Sequence, residues 1–232
     1  MSGEKQNKAK PHYHGHRQRL RERFLAAGGE ALPDYELLEL LLFGAQPRSD
    51  MKPVAKALLD RFGSYARVIS ATPEELRTVR GVGNAAVVAL KAAQASALRL
   101  LREHAADGPV ISNWQALVEY CRASMGFEKT EQFRLLFLDR KNRIIADEIQ
   151  QRGTIDHTPV YPREVVKRAL DLGAAAIIMV HNHPSQDPSP SSADIEMTRE
   201  VQEAVAKLGI LLHDHIVVGR GGNASFKSLG LL

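Results

Sequence analysis

The chain has 232 residues, long for one compact domain and comfortable for two. Apolar residues make up 44% of it, enough to bury a core, yet no apolar run approaches the roughly 18 residues that span a bilayer. The formal charge of +4 is unevenly placed: residues 1–110 carry 17 Lys+Arg against 12 Asp+Glu, residues 111–232 carry 14 against 15, so any polyanion partner belongs to the first half.

The first 16 residues are polar, with Lys5, Lys8 and Lys10 and alternating His12, His14 and His16. They read as a flexible basic tail with no apolar stretch of the secretory kind. Arg17 to Leu25 has the pattern of a short basic helix. In residues 34–62, Leu37, Leu38, Leu41 and Leu42 form a stripe at helical spacing, with Asp34 as the expected N-cap. A further helical segment follows Pro53 and stops at Gly63. Thr72, Pro73 and Glu75 spell a helix start: a cap, a proline at the first helical position and the acidic member of a capping box. Gly81-Val82-Gly83 separates that helix from a long Ala-rich one running to about His104. No strand pattern precedes residue 108, so residues 17–105 form an all-α domain. Ala105–Pro109 is the predicted linker.

Beyond it, in residues 110–232, strands and helices alternate. Phe133–Leu138 and Arg143–Gln150 read as a hairpin turning at Asp139–Asn142. Pro162–Leu172 is a helix stopped by Gly173. Ala174–Val180 is the uninterrupted apolar run of a strand buried on both faces. Ile195–Leu208 is a helix and Ile210–Val218 a last strand, with Gly219-Arg220-Gly221-Gly222 as a turn. This is an α/β domain, a mixed sheet flanked by helices.

The chemistry concentrates in one stretch. His181 and His183, two apart at the end of the buried strand, point to one side. Pro184, Pro188 and Pro190 forbid helix and stiffen the loop that follows. Ser191 or Ser192 can cap the next helix, which puts Asp194 in its first turn, where the loop can return it beside the histidines. Two imidazoles and a carboxylate with a fourth position open are the ligands of a catalytic rather than a structural zinc site. In other metal hydrolases His-x-His belongs to an early strand of a large barrel. Here too little chain follows to complete one. A lone Cys121 supplies no thiolate site and no intramolecular disulfide, which fits a reducing cytoplasm.

The longer pattern His-x-His-x7-Ser-x2-Asp, met by His181, His183, Ser191 and Asp194, resembles the metal motif of the JAMM (MPN+) metallo-isopeptidases and peptidases. Arg152-Gly153-Thr154, Tyr161-Pro162-Arg163-Glu164, the HNHPS segment and Asp214–Gly219 extend the likeness to RadC-type proteins over nearly the whole chain, helical half included. The resemblance implies a JAMM/MPN-like fold, Zn2+ held by His181, His183 and Asp194, and hydrolysis of an amide or isopeptide bond in a peptide or protein substrate. It also implies a glutamate from an earlier strand as general base, and Ser191 as a hydroxyl donor to the oxyanion. Glu148, on the second strand of the hairpin, is the expected base. Glu164, in the first turn of a helix, is explained by the helix dipole. His213 and His215 are expected on one face of the last strand, where they could support the metal ligands from behind or contact substrate or, more simply, serve as hydrogen-bonded structural residues.

Gly81-Val82-Gly83 with its flanking helices looks like a helix-hairpin-helix, an element that grips a DNA backbone through free N–H groups at a helix start. Arg77, Arg80 and Lys91 are its candidate cations, although Asn84 and Ala85 stand where many such hairpins carry a basic residue. Two functions compete: a zinc hydrolase with a helical targeting domain, or a DNA-binding repair or recombination accessory with a non-catalytic metal site. The complete His-His-Asp set and Ser191 favour the first.

Overall fold

A computed structural model describes residues 15–152, 160–185 and 187–232. The sequence expectations for His12, His14, Gly153 and Thr154 lie outside those residues. The chain divides into two compact units, Met1–Ser96 and Ala97–Leu232.

Among its described residues the first unit is all helix: α1 (His16–Ala27), α2 (Asp34–Ala45), α3 (Lys52–Phe62), α4 (Tyr65–Ser70), α5 (Pro73–Arg77) and the start of α6 (Asn84–Ala106). Its core gathers Leu38 and Leu42 of the expected stripe with Leu58, Leu76 and Leu90, around Met51 and Val68. Asp34 is not the cap of α2. Pro33 holds that position with an extended backbone, its carbonyl accepts from Glu36 and Leu37, and Asp34 becomes the first helical residue, where its charge suits the positive helix end. The Thr72–Glu75 capping box forms as expected. The helix α4, capped by Ser64, had no counterpart in the sequence reading. Gly81 sits at φ 92, and a Cβ there would stand 2.9 Å from Val54 Cγ2, so the glycine serves both the turn and the close approach.

The predicted linker begins inside a helix. α6 continues to Ala106, and its Leu101 and Ala105 pack into the core of the second unit with Val110 and Leu117. Apolar partners for those two residues carry the helix beyond the division between Ser96 and Ala97.

The second unit is a five-stranded mixed sheet between helices. It contains α7 (Trp114–Met125), β1 (Gln132–Leu138), β2 (Ile144–Arg152), α8 (Pro162–Asp171), β3 (Ala176–Asn182), α9 (Ser192–Ala206), β4 (Leu211–Gly219) and β5 (Gly222–Ser225). The strand order is β2-β1-β3-β4-β5. Only β3 and β4 are parallel, joined by the α9 crossover; the other pairs are antiparallel. Alternation divides the side chains. Leu136, Leu138, Ile178, Val180 and Ile216 pack with α7, and Phe133, Leu135, Phe137, Ile177 and Met179 pack with α8 and α9. The sequence reading missed α7, although Leu117, Val118, Cys121 and Met125 recur at helical spacing along it.

A bulge interrupts β4. Ile177 pairs with Leu212 but Ile178 pairs with Asp214, so His213 is an extra residue. This corrects the expectation that His213 and His215 share a face. His213 lines a cavity of about 220 Å³ on the α7 side, together with Trp114, Ile178 and Asp214, and bonds Asn142 Oδ1 at 2.7 Å. His215 pairs with Met179 and turns to the opposite side.

Candidate metal centre

β3 delivers the two histidines. His181 is its second-last residue and pairs with Phe133 of β1, which places it on the α8/α9 side of the sheet. His183 follows directly on the strand's last residue, and its N–H donates to Val218 O at 3.0 Å. The proline-rich loop then returns to α9, which starts as the sequence predicts. Ser191 is the N-cap, and Ser191 and Asp194 form a full capping box. The Ser191 N–H and hydroxyl both donate to Asp194 Oδ2, at 2.7 and 2.6 Å, and Asp194 N–H donates to Ser191 Oγ at 3.1 Å.

That box aims the Asp194 carboxylate at both imidazoles. His181 Nε2 lies 3.3 Å from Oδ1, His183 Nε2 lies 3.4 Å from Oδ2, and the two Nε2 atoms are 2.9 Å apart. One ligand atom from each of the three residues lies within 4.8 Å of the others. His183 Nδ1 sits 2.8 Å from Asp187 O; a carbonyl only accepts, so Nδ1 carries the proton and Nε2 offers its lone pair toward the cluster. Two imidazoles and a carboxylate converging with so little space between them fit a zinc ion.

Burial alone pushes the Asp194 carboxyl up, but the imidazoles of His181 and His183, followed by the Ser191 hydroxyl, hold it well below the carboxylate range. The Asp194 carboxylate raises His183 against the opposing effect of burial, helped by the Asp187 carbonyl and the charge of Glu131. His215, wholly buried, is pushed well down by desolvation and then by His181.

Glu131 was missed in the sequence. It precedes β1, and continuing the Phe133↔His181 register by two residues sets it opposite His183 on the same side of the sheet. Asn182 fixes the backbone on both sides of it, accepting from Gln132 N–H at 2.8 Å and donating to Thr130 O at 3.1 Å. The signal available was its position, two before Phe133 in the alternation of β1.

Glu148, the expected base, also lies on the His181 side of the sheet, since it pairs with Leu135, which pairs with Met179. Its carboxylate is engaged elsewhere. Arg168 of α8 donates to it from Nε at 2.8 Å and from Nη2 at 2.5 Å, and this pairing holds its pKa below the usual glutamate value. Glu164, half exposed in the first turn of α8, pairs with Arg163.

Residues 111–231 match the family described as RadC-like JAB domain, and residues 14–88 match the family described as UPF0758 N-terminal. The chain belongs to the RadC family. Similar proteins include a UPF0758 protein of Rhodobacter capsulatus, 60% identical over 92% of this chain and 100% of its own length. A UPF0758 protein of Ruegeria pomeroyi is 55% identical over 94% of this chain and 97% of its own. The JAB-type fold named by the family is the sheet and helices that bring His181, His183 and Asp194 together. Among the described residues, no helix is long and apolar enough to cross a membrane.

Proposed function

We propose that this RadC-family chain is a zinc-dependent hydrolase of amide or isopeptide bonds, acting on a peptide or protein substrate. The observation that carries the reading is the convergence of His181, His183 and Asp194 from a strand end and a helix start. A zinc ion held by these three residues would supply Lewis acidity, lowering the pKa of water and polarising a carbonyl.

The protein's own groups do the rest. A base must take a proton from the attacking water and return it to the leaving amine. Glu131 is better placed for that than Glu148, because its charge already reaches His183 while Glu148 answers Arg168. Ser191 holds Asp194, giving its own hydroxyl proton to that carboxylate. An oxyanion role for Ser191, as the JAMM resemblance implies, requires this hydroxyl to turn away first. Cys121, the single cysteine, is buried, and burial pushes its thiol up to about 12, in keeping with an inert thiol in a reducing cytoplasm.

The test is elemental analysis joined to a peptide and isopeptide library. Near-stoichiometric zinc in the wild type, with zinc and cleavage both lost in His183→Ala, supports the proposal. Stoichiometric zinc retained in the double variant His181→Ala/His183→Ala places the metal elsewhere and defeats it.

A second reading rests on the Gly81–Gly83 turn between α5 and α6: sequence-independent DNA binding by residues 17–105. Two of its candidate cations are tied down within the helical unit, since Lys91 Nζ donates to Ile69 O and Ala71 O at 3.2 and 3.0 Å and Arg77 Nε donates to Asn84 Oδ1 at 3.2 Å. Duplex binding by the full chain that weakens steeply with salt and is reduced in Arg80→Ala supports it. Absence of binding at low salt leaves the glycines as a turn between packed helices.

A further inference from the structure

Behind the three ligands lies a second row of hydrogen bonds that the hydrolase reading does not use. His181 Nδ1 is 2.7 Å from His215 Nε2, and His215 Nδ1 is 2.7 Å from Thr198 Oγ1. The Thr198 hydroxyl donates to Asp194 O at 2.5 Å. The direction of every proton follows from the end of this chain. A carbonyl cannot donate, so the single hydroxyl proton of Thr198 goes to Asp194 O. Thr198 Oγ1 must then accept from His215, which puts a proton on His215 Nδ1. The His215 ring is fully buried, stacked on Phe226 at 4.5 Å between centroids and edge-on to Phe133 at 6.1 Å. With one proton on Nδ1, its Nε2 accepts, and the donor is His181 Nδ1–H. His181 Nε2 is thereby left as a lone pair facing Asp194.

We propose that His215 and Thr198 form a positioning relay that fixes His181 as an Nε2 ligand and ties it to the main chain at Asp194. The relay joins two of the three ligands on the side away from the metal. Its far end is an i, i+4 contact within α9, from Thr198 to Asp194, so the helix that carries one ligand also sets the tautomer of another. Asp214 seats the relay from the other side. Its Oδ1 accepts from His215 N–H at 2.8 Å and from Lys227 N–H at 3.0 Å, its Oδ2 accepts from the Ser225 hydroxyl at 2.5 Å, and together these set Phe226 against the His215 ring.

Removing the acceptor at Thr198 undoes the logic. His215 then has no reason to keep its proton on Nδ1. A proton on Nε2 instead confronts His181 Nδ1–H, and His181 must move its own proton to Nε2, losing the lone pair the metal needs. Outer partners of metal-bound histidines are typically worth about 10–100-fold in affinity.

The proposal rests on the zinc reading, and the experiment separates the two. Full-length wild type, Thr198→Val, Thr198→Ser and His215→Phe are compared in two measurements: zinc affinity by competition with a chromophoric chelator at fixed pH, and the tautomer of His181 from long-range 15N–1H correlations in the metal-free protein. The relay predicts His181 as the Nδ1–H tautomer in wild type and Thr198→Ser, loss of that pattern in Thr198→Val, and zinc binding weakened about 10–100-fold in Thr198→Val and His215→Phe but kept in Thr198→Ser. An Nε2–H tautomer for His181 in wild type overturns the relay. So does wild-type affinity in Thr198→Val or His215→Phe, and so does a Thr198→Ser variant as weak as Thr198→Val, which makes packing the cause. If Thr198→Val does not fold, the wild-type tautomer and the other two variants still decide. A wild type that binds no zinc yet shows the expected tautomer defeats the zinc reading and leaves the relay standing.

Discussion

Thr72 with Glu75 in α5 and Ser191 with Asp194 in α9 are one local device used twice. In each, a hydroxyl accepts from the N–H three residues on, and an acidic side chain reaches back to the cap's own N–H. The backbone cannot tell them apart. The difference is what surrounds the carboxylate. Glu75 stands at a partly exposed helix start, with hydrogen bonds in an exposed setting. Asp194 is 8% exposed, beside two imidazoles whose outer nitrogens are already engaged. A capping box is therefore a way of holding a carboxylate at a fixed place, and the neighbours decide whether that place is only a helix end.

The largest difference between the two boxes should come from neutralising each acid. Asp194→Asn keeps an oxygen for the cap but removes the anionic ligand, and we expect zinc content to fall from near-stoichiometric to near zero with the fold retained. Glu75→Gln should leave zinc unchanged. Equal zinc in Asp194→Asn and wild type would make Asp194 a cap alone.

The next effect concerns rate. Glu131→Gln should lower hydrolysis by roughly 10²–10⁴-fold, the usual contribution of a general base, with zinc content intact. Glu148→Gln should leave the rate within a few-fold. Kinetics in which Glu148→Gln is the crippled variant would reverse the assignment.

Removing the caps comes third. Thr72→Ala and Ser191→Ala should each cost about 1 kcal/mol in denaturant unfolding, the common worth of an N-cap. Only Ser191→Ala should also speed zinc loss to a chelator, because Asp194 loses its hydroxyl donor. Equal zinc kinetics in the two variants would show that the box does not orient the ligand.

The smallest effect belongs to Glu148. Its pKa is lowered by the hydrogen bonds from Arg168, so the pair stabilises the fold above the ordinary glutamate pKa of about 4.3 and loses that contribution as pH falls through the lower folded value. The pair is partly exposed, with side-chain accessibilities of 40% and 29%, so solvent screens it and the contribution is modest. Glu148→Gln should be slightly less stable than wild type at neutral pH, and the two acid unfolding curves should converge as the pH drops. Divergence toward acid pH would contradict the sign.

Most of the site was legible because it is local. His181, His183, Ser191 and Asp194 lie within fourteen positions, and strand alternation, prolines and a cap specify how such a stretch folds. What the sequence left open depends on pairing between distant segments. Glu131 faces His183 only through the register of β1 on β3, some fifty positions away. Glu148 looked suitable on its own strand, but its partner Arg168 arrives from a helix. His215 reached the His181 side because a bulge, which local sequence does not announce, reset the alternation of β4. In the helical unit the leucine stripes and glycine stops placed most elements. The cap at Asp34 shifted by one because a proline ahead of it already had the extended backbone a cap requires.

The bulge at His213 has a consequence for chain length. Leu212 and Asp214 sit opposite consecutive residues of β3, so the strand on either side of His213 would remain in step if that residue were absent. Deleting a residue between Ile216 and Val218 would instead invert the side chains beyond the cut, or draw out the bulge and carry His215 away from His181. β4 thus carries one spare residue, and it can lose one at the bulge without rewriting the sheet. The cost there is a histidine that lines the α7-side cavity and bonds Asn142 in the β1–β2 turn.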